Sequence, residues 1–268
     1  MHRSNFVLYL FLILIFGSCK SLDLSSRESD PNFHLYLLVG QSNMAGRGKV
    51  DSLSTPDNPL ILMLNEENTW SIARDPLHFD KPKVIGVGPG LAFGQKMLSF
   101  KKNDKVKVGL IPCAVGGTNI DSWEPGKDAY NGQYYPYDDA IERLRLAMQD
   151  GVVKGIVWHQ GEANSSEGKS QAYIEKLQAL VKRFRDEIGN PKTPFVAGEL
   201  GYYKDNYKFI NRELKKLPNA VPLSAVATSE GLTHKGDVTH FDSESARVLG
   251  ERMAIEMHEL QVTAVDFQ

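Results

Sequence analysis

Short apolar runs alternate along the chain with longer segments in which apolar side chains recur every three or four positions. A short run bounded by small or polar residues is typical of a buried strand, and the longer spacing is typical of a helix packed on one face. Five runs predict strands: 35–39, 106–112, 155–158, 195–199 and 221–227. A further run at 60–64 could form another short strand.

The helical spacing is clearest at 170–188 and is also present at 93–100, 137–150 and 210–217. A last helix is predicted after Asp242, a residue type that caps helix N-termini well. Strands that alternate with helices favour a parallel sheet covered on both faces. No internal repeat and no break in composition marks a second domain, so the sequence predicts one domain.

Small and polar residues follow three of the predicted strands. Gly40-Gln41-Ser42-Asn43-Met44 follows the first strand, Gly116-Gly117 follows the second, and Gln160 follows the third. In an open parallel sheet the carboxyl ends of the strands lie at one edge, where ligands bind. We therefore expect these three segments to meet at one site.

The segment before the last helix carries an acid and a histidine three residues apart, Asp237 and His240. A serine hydroxyl is a weak nucleophile until a base takes its proton, and His240 could do this for Ser42. A carboxylate on the other ring nitrogen, from Asp237, would hold the imidazole in one orientation. The predicted donors to a developing oxyanion are the amides of Ser42 and Gly117 and the side-chain NH₂ of Gln160.

Three further residues could support this site. Gln41 and Gly116 adjoin the predicted nucleophile and an oxyanion donor. Glu162 could orient Gln160 or a loop within a hydrogen-bond network, which we favour, or offer His240 a second carboxylate.

Composition and motifs exclude several other classes. The 268 residues carry a net charge of -2, with no basic cluster among aromatics, so nucleic-acid binding is not expected. The glycine-rich segment 86–90 lacks the third glycine of a dinucleotide site, so no cofactor is predicted. His159, Glu162 and His240 lack a known metal-ligand spacing, so no metal is predicted. Cys113 is interpreted as a small core residue.

The first 19 residues resemble an export signal. A basic start precedes the apolar run 6–16, which is too short to span a bilayer. Gly-Ser before Cys19 resembles the bacterial lipoprotein processing box, which implies that Cys19 is lipidated and retained. Either this processing or a plain secretory signal would place the protein in the periplasm or at the cell surface. Residues 20–32 are interpreted as a tether, and 33–268 as the folded domain.

Four sequence blocks together resemble the SGNH/GDSL hydrolase superfamily, most closely its sialate O-acetylesterases and carbohydrate esterase family 6 acetylxylan esterases. They are Gly40-Gln41-Ser42-Asn43-Met44, Gly116-Gly117-Thr118, Trp158-His159-Gln160-Gly161-Glu162 and Asp237-x-x-His240. They occur in the expected order across nearly the whole mature chain. Met44 departs from the Gly-x-Ser-x-Gly elbow of α/β-hydrolases.

This resemblance implies a flavodoxin-like three-layer α/β/α sandwich with a mainly parallel five-stranded sheet. It also implies a Ser42–His240–Asp237 triad that removes acetyl groups through an acyl-enzyme from acetylxylan or O-acetylated sialic acid. The expected partner is an acetylated glycan, with membrane contact only through a lipid on Cys19. Alternatives are a lipase-like or peptidoglycan O-acetyl esterase and a non-catalytic glycan-binding lipoprotein.

The sequence leaves two possible roles for each of four residues near the predicted site. Asn119, Asp121 and Trp123 could face the sugar or cap a loop. Trp70 could form a substrate wall, although packing is the favoured interpretation because aromatic side chains mainly contribute buried area.

Overall fold

The computed structural model describes residues 28–266. The predicted signal segment with Cys19, and residues 20–27 of the predicted tether, lie outside this range. The last three tether residues, 30–32, belong to the first strand, whose Asp30 pairs with Lys107 at 3.2 Å. No helix between residues 28 and 266 combines the length and apolar character needed to cross a bilayer.

One sheet of seven strands forms the centre of the fold. The strands are β1 (Asp30–Gly40), β2 (Ile61–Leu64), β3 (Trp70–Ile72), β4 (Lys107–Pro112), β5 (Gly151–His159), β6 (Phe195–Gly198) and β7 (Ser224–Ala227). Their order is β3-β2-β4-β1-β5-β6-β7, and only β3 runs antiparallel to its neighbour. The five predicted strands are present, so the parallel α/β class is confirmed and the strand count is corrected to seven.

The two additional strands lie at one edge of the sheet. β2 is the short strand considered at 60–64, whereas β3 has no counterpart in the prediction because three residues are too few for a periodic signal. Trp70 lies on β3, packs edge-on against Phe33 with ring centroids 4.7 Å apart, and donates to Asp150 at 3.0 Å. Its role is therefore packing at the sheet edge.

Eight α-helices connect or cover the strands between residues 28 and 266. They are α1 (Ser42–Ala45), α2 (Gly90–Ser99), α3 (Pro136–Ala147), α4 (Glu167–Ser170), α5 (Tyr173–Ile188), α6 (Tyr207–Leu214), α7 (Leu217–Ala220) and α8 (Ser243–Asp266). The helix predicted at 170–188 begins at Tyr173, because α4 forms a separate turn before it. The N-cap prediction is confirmed, since Asp242 accepts from the Ser245 amide at 2.8 Å.

Two apolar layers cover the two faces of the sheet. On β1, Leu35, Leu37 and Val39 face the cluster that includes α3, α5 and α6. Tyr36 and Leu38 face the opposite cluster, which includes α2 and α8. A strand buried on both faces reads as a continuous apolar run, which is why the pattern at 35–39 does not alternate. The result is the predicted three-layer α/β/α sandwich, with β1 at its centre.

Candidate active site

Ser42 lies directly beyond the carboxyl end of the central strand, as the first residue of α1. The chain can turn there because Gly40 has a φ of +137°, and a Cβ at this position would lie 2.1 Å from the His159 carbonyl oxygen. A larger residue would push β1 away from β5. Gly40 thus permits the sharp turn that presents the Ser42 hydroxyl at the sheet edge.

His240 reaches Ser42 from the segment before α8. Its Nε2 lies 3.0 Å from Ser42 Oγ, and its Nδ1 lies 2.7 Å from Asp237 Oδ2. Asp237 Oδ1 accepts hydrogen bonds from the backbone amides of Thr239 and His240 at 3.0 and 2.8 Å. The structure therefore brings Ser42, His240 and Asp237 together in one hydrogen-bonded chain.

Asp237 is held as a carboxylate by its surroundings. Partial burial by itself would raise its pKa, but hydrogen bonds from the amide and ring of His240 and from the amide of Thr239 lower the pKa to about 2. A carboxylate that accepts several N–H bonds is favoured in its charged form. At neutral pH Asp237 can therefore accept a hydrogen bond from His240 Nδ1–H. This leaves His240 Nε2 free to accept a hydrogen bond from a hydroxyl.

Asn43 fastens the histidine segment to the end of β1. Its Nδ2 donates to the Thr239 carbonyl at 3.1 Å and to Glu162 Oε1 at 2.6 Å. Its Oδ1 accepts from the Phe241 amide at 3.0 Å. Two of these three bonds bracket His240 on either side, so Asn43 fixes the backbone from which the imidazole projects.

Glu162 belongs to this network, as favoured in the sequence analysis. Its Oε1 lies 3.9 Å from Nδ1 of the fully buried His159, whose Nε2 contacts the Glu199 carbonyl at 3.1 Å. Burial lowers the pKa of His159, so its ring is neutral at physiological pH. In the described part of the chain Glu162 makes no hydrogen bond to His240 or to Gln160. The residue orients Asn43 instead.

A buried ion pair supports the Gly116–Gly117 turn. Arg47 Nη2 lies 3.0 Å from Asp80 Oδ2, which also accepts from the Gly116 amide at 2.7 Å. A Cβ on Gly116 would lie 2.3 Å from Arg47 Nη2 and 3.4 Å from Ser42 Cβ, so a side chain has no room there. Within residues 28–266 the amides of Ser42 and Gly117 donate to no acceptor. Both amides are thus available to a bound molecule.

Gln160 differs from its predicted role as an oxyanion donor. The residue has no exposed surface, and its NH₂ group faces three acceptors: Gln41 Oε1 at 3.0 Å, the Thr118 carbonyl at 3.2 Å and Asn164 Oδ1 at 2.9 Å. The two N–H donors of this NH₂ group are already shared among three internal acceptors, so the Gln160 side chain has no free donor for a substrate. Gln160 joins the loops that follow β1, β4 and β5, and Gln41 takes part in the same network.

The whole-chain comparisons identify the family. A family model described as "Carbohydrate esterase, sialic acid-specific acetylesterase" matches residues 32–259. The chain belongs to this carbohydrate esterase family. It is 32% identical over 245 residues to a probable carbohydrate esterase of Arabidopsis thaliana, covering 84% of this chain and 90% of that protein. It is accordingly a carboxylic ester hydrolase.

Solved structures agree with this assignment. The X-ray structure of an Arabidopsis thaliana protein matches with a TM-score of 0.77 and 28% identity, covering 86% of this esterase and 99% of that chain. The crystal structure of NanS matches with a TM-score of 0.66 and 17% identity, covering 87% of this esterase and 99% of NanS. A carbohydrate acetylesterase from Xanthomonas citri matches with a TM-score of 0.66 and 19% identity, covering 85% of this esterase and 57% of that chain. The last two likenesses concern the fold.

Three residues of the esterase that could have faced a sugar have structural partners. Asn119 Oδ1 accepts from the Ser122 amide at 3.0 Å, and Asp121 lies 2.5 Å from Lys176 Nζ. Trp123 is fully buried. These three residues cap and anchor the loop after Gly117, so the loop-capping interpretation holds.

A tyrosine and a lysine cover the outer side of the Gly116–Gly117 turn instead. Tyr130 donates to the Gly116 carbonyl, and Lys81 Nζ donates to the same carbonyl and to the Tyr130 hydroxyl at 3.0 Å each. Tyr130 is 40% exposed. The sequence analysis identified neither residue, because a lone lysine 35 residues before the glycine pair, or a lone tyrosine after it, carries no motif.

Asn43→Ala is expected to lower kcat for p-nitrophenyl acetate about 10- to 100-fold with a smaller change in KM, because His240 loses its fixed backbone. The variant also leaves Glu162 without its amide partner, which costs about 1–3 kcal/mol in the free energy of unfolding. The double variant Asn43→Ala/Glu162→Gln removes that buried charge and should recover the unfolding temperature but not kcat. Recovery of kcat in the double variant would contradict the fastening role.

Gly116→Ala is expected to lower kcat about 100-fold, because the new Cβ would displace the turn that carries the Gly117 amide. Overpacking should also lower the free energy of unfolding by about 1–3 kcal/mol. Gly168→Ala is the matched control, since its Cβ would meet nothing within 4 Å. Steady-state kinetics and thermal unfolding of both variants test this. Equal kcat values for Gly116→Ala and Gly168→Ala would show that a side chain at position 116 can be accommodated without displacing the turn.

Proposed function

We propose that this esterase removes O-acetyl groups from glycans, with Ser42 as nucleophile, His240 as general base and Asp237 as the carboxylate that orients His240. The observation that carries the proposal is the continuous contact from Ser42 Oγ to His240 Nε2, at 3.0 Å, and from His240 Nδ1 to Asp237 Oδ2, at 2.7 Å. This is the arrangement in which an imidazole can take a serine proton while its other nitrogen is held by a charge.

The reaction then proceeds in two acyl-transfer steps. Ser42 Oγ attacks the acetyl carbonyl as its proton moves to His240 Nε2, and the sugar oxygen leaves with that proton when the tetrahedral intermediate collapses. Water attacks the acetyl-serine by the same route and releases acetate. The proposed oxyanion donors are the amides of Ser42 and Gly117, which have no acceptor within residues 28–266.

The proposed substrate is an O-acetylated sialic acid in preference to acetylated xylan. The description of the matching family names sialic acid-specific acetylesterases. Lys81 lends independent support, because its ammonium group lies beside the Gly116–Gly117 turn and pairs with no carboxylate in the described part of the chain. A cation at this place would favour a sugar that carries a carboxylate over a neutral one.

Acetate release from O-acetylated sialic acid and from acetylated xylan tests this function, with Ser42→Ala alongside. The parent is expected to release acetate from the sialic acid faster, and Ser42→Ala to lose roughly four to six orders of magnitude in kcat. Long-chain p-nitrophenyl esters should be poor substrates, in contrast to a lipase. No acetate from either glycan and no labelling of Ser42 by an organophosphonate would rule out the proposed serine esterase.

We also propose that the protein is exported and lipid-anchored through Cys19, on the support of the processing-box sequence at 17–19. In a bacterial host grown with labelled palmitate, the parent should carry label and sediment with membranes. Cys19→Ser should lose both, and Cys113→Ser, which keeps Cys19, should lose neither. Equal labelling of parent and Cys19→Ser would contradict lipidation at this residue.

A further inference from the structure

A cavity of about 530 Å³ lies at the edge of the sheet opposite to Ser42. Parts of β1, β5 and α8, the residues after α2 and those before β6 form its walls. The titratable groups that line it are all basic, three amines and two imidazoles: Lys101, Lys154, Lys192, His34 and His258. No aspartate or glutamate lines this basic cavity. Parallel sheets place substrate sites at the other edge, so the basic cavity is separate from the esterase site.

The lining of the basic cavity offers its lysines no carboxylate partner. Within residues 28–266, none of Lys101, Lys154 and Lys192 forms an ion pair, whereas Lys107 and Lys176 do. The net charge of the whole chain is -2, so this local excess of positive charge does not follow from a basic composition. Clustered cations without counter-charges repel one another and destabilise the fold.

Hydrogen bonds hold part of the cavity wall in place. Gln261 on α8 accepts from Lys101 Nζ at 3.4 Å and donates to the Lys154 carbonyl at 3.0 Å and to the Tyr36 hydroxyl at 3.2 Å. Lys101 and Lys154 are both half-buried. Gln261 therefore holds the amine of Lys101 and the backbone of Lys154 on neighbouring elements of the cavity wall.

Burial and crowding disfavour the charged forms of these groups and lower their pKa values. Burial, and next the charge of Lys154, lower the pKa of Lys101. Burial, then Lys101 and Lys154, lower the pKa of His34 to about 4, against the opposing effects of the Pro31 backbone and of Asp30. His34 Nδ1 is also buried without a hydrogen-bond partner. A bound anion would offset the repulsion and could offer this nitrogen a partner.

We propose that the basic cavity binds a phosphate-bearing anion between Lys101, Lys154 and His34. A phosphate group presents several oxygens to donors that converge from different elements, and it carries the charge that two neighbouring amines require. On β1, His34 lies six residues before Gly40, so about 20 Å separate this site from the acyl-transfer site. Occupancy should therefore affect stability or attachment and leave turnover of a neutral ester unchanged.

Thermal unfolding and calorimetric titration with inorganic phosphate test the proposal, with sodium chloride at the same ionic strength as the reference. Phosphate is expected to bind and to raise the unfolding temperature of the parent. Lys101→Gln/Lys154→Gln should lose most of both effects. Lys102→Gln/Lys105→Gln, which removes two exposed lysines that do not line the cavity, should keep them. Both double variants should hydrolyse p-nitrophenyl acetate at the parent rate.

Vesicles distinguish the two sources of phosphate chemistry. Stronger binding to phosphatidylglycerol than to phosphatidylcholine vesicles, lost in Lys101→Gln/Lys154→Gln, would identify a lipid headgroup as the ligand. Binding of inorganic phosphate without vesicle binding would identify a soluble phosphate compound. Absence of both interactions, or an equal loss in the two double variants, would overturn the proposal.

Discussion

The candidate site depends on the hydrogen bonds that join Asn43 to residues 239–241. Ser42 follows the first strand, whereas His240 comes 198 residues later in a segment outside strands and helices. Such a segment has many accessible conformations, and ordering it costs entropy that contacts must offset. Asn43 contributes bonds on both sides of His240, and Asp242 begins α8 directly afterwards. The imidazole is therefore placed by bonds to its neighbours along the chain more than by contacts of its own.

A second constraint is the central place of β1 between β4 and β5. Since all three strands are parallel, their carboxyl ends deliver Ser42, the Gly116–Gly117 turn and Gln160 to the same edge. Gln160 then links the three loops through buried hydrogen bonds, which are strong in a low-dielectric interior and costly to break. Donors fixed in this way need no reorganisation when charge develops in a transition state. Gln160 therefore holds the three loops together internally, in place of the direct role predicted for its NH₂ group.

The sequence predicted what local patterns and strand ends encode. Apolar runs identified the main strands. The polar residues that follow them pointed to Ser42 and Gly117, and the acid and histidine before the last helix pointed to Asp237 and His240 as their partners. It did not predict β3, whose three residues carry no period, or the direction of the Gln160 side chain, because an amide that follows a strand can point to solvent or inward. The Arg47–Asp80 pair was also missed, since its members lie 33 residues apart and meet only through the tertiary fold.

The two ends of β1 lie beside two different sites. Asp30 and the basic cavity lie at the amino-terminal edge of the sheet, and Ser42 lies at the opposite edge. If Cys19 carries the proposed lipid, the residues from 19 to 30 can reach at most about 40 Å, because a fully extended chain spans about 3.3–3.6 Å per residue. The anchor would therefore attach the protein at the end of β1 that borders the basic cavity, which is the end opposite to Ser42. Anionic headgroups bound in the basic cavity would then turn Ser42 away from the bilayer, so attachment and hydrolysis would use opposite ends of one strand.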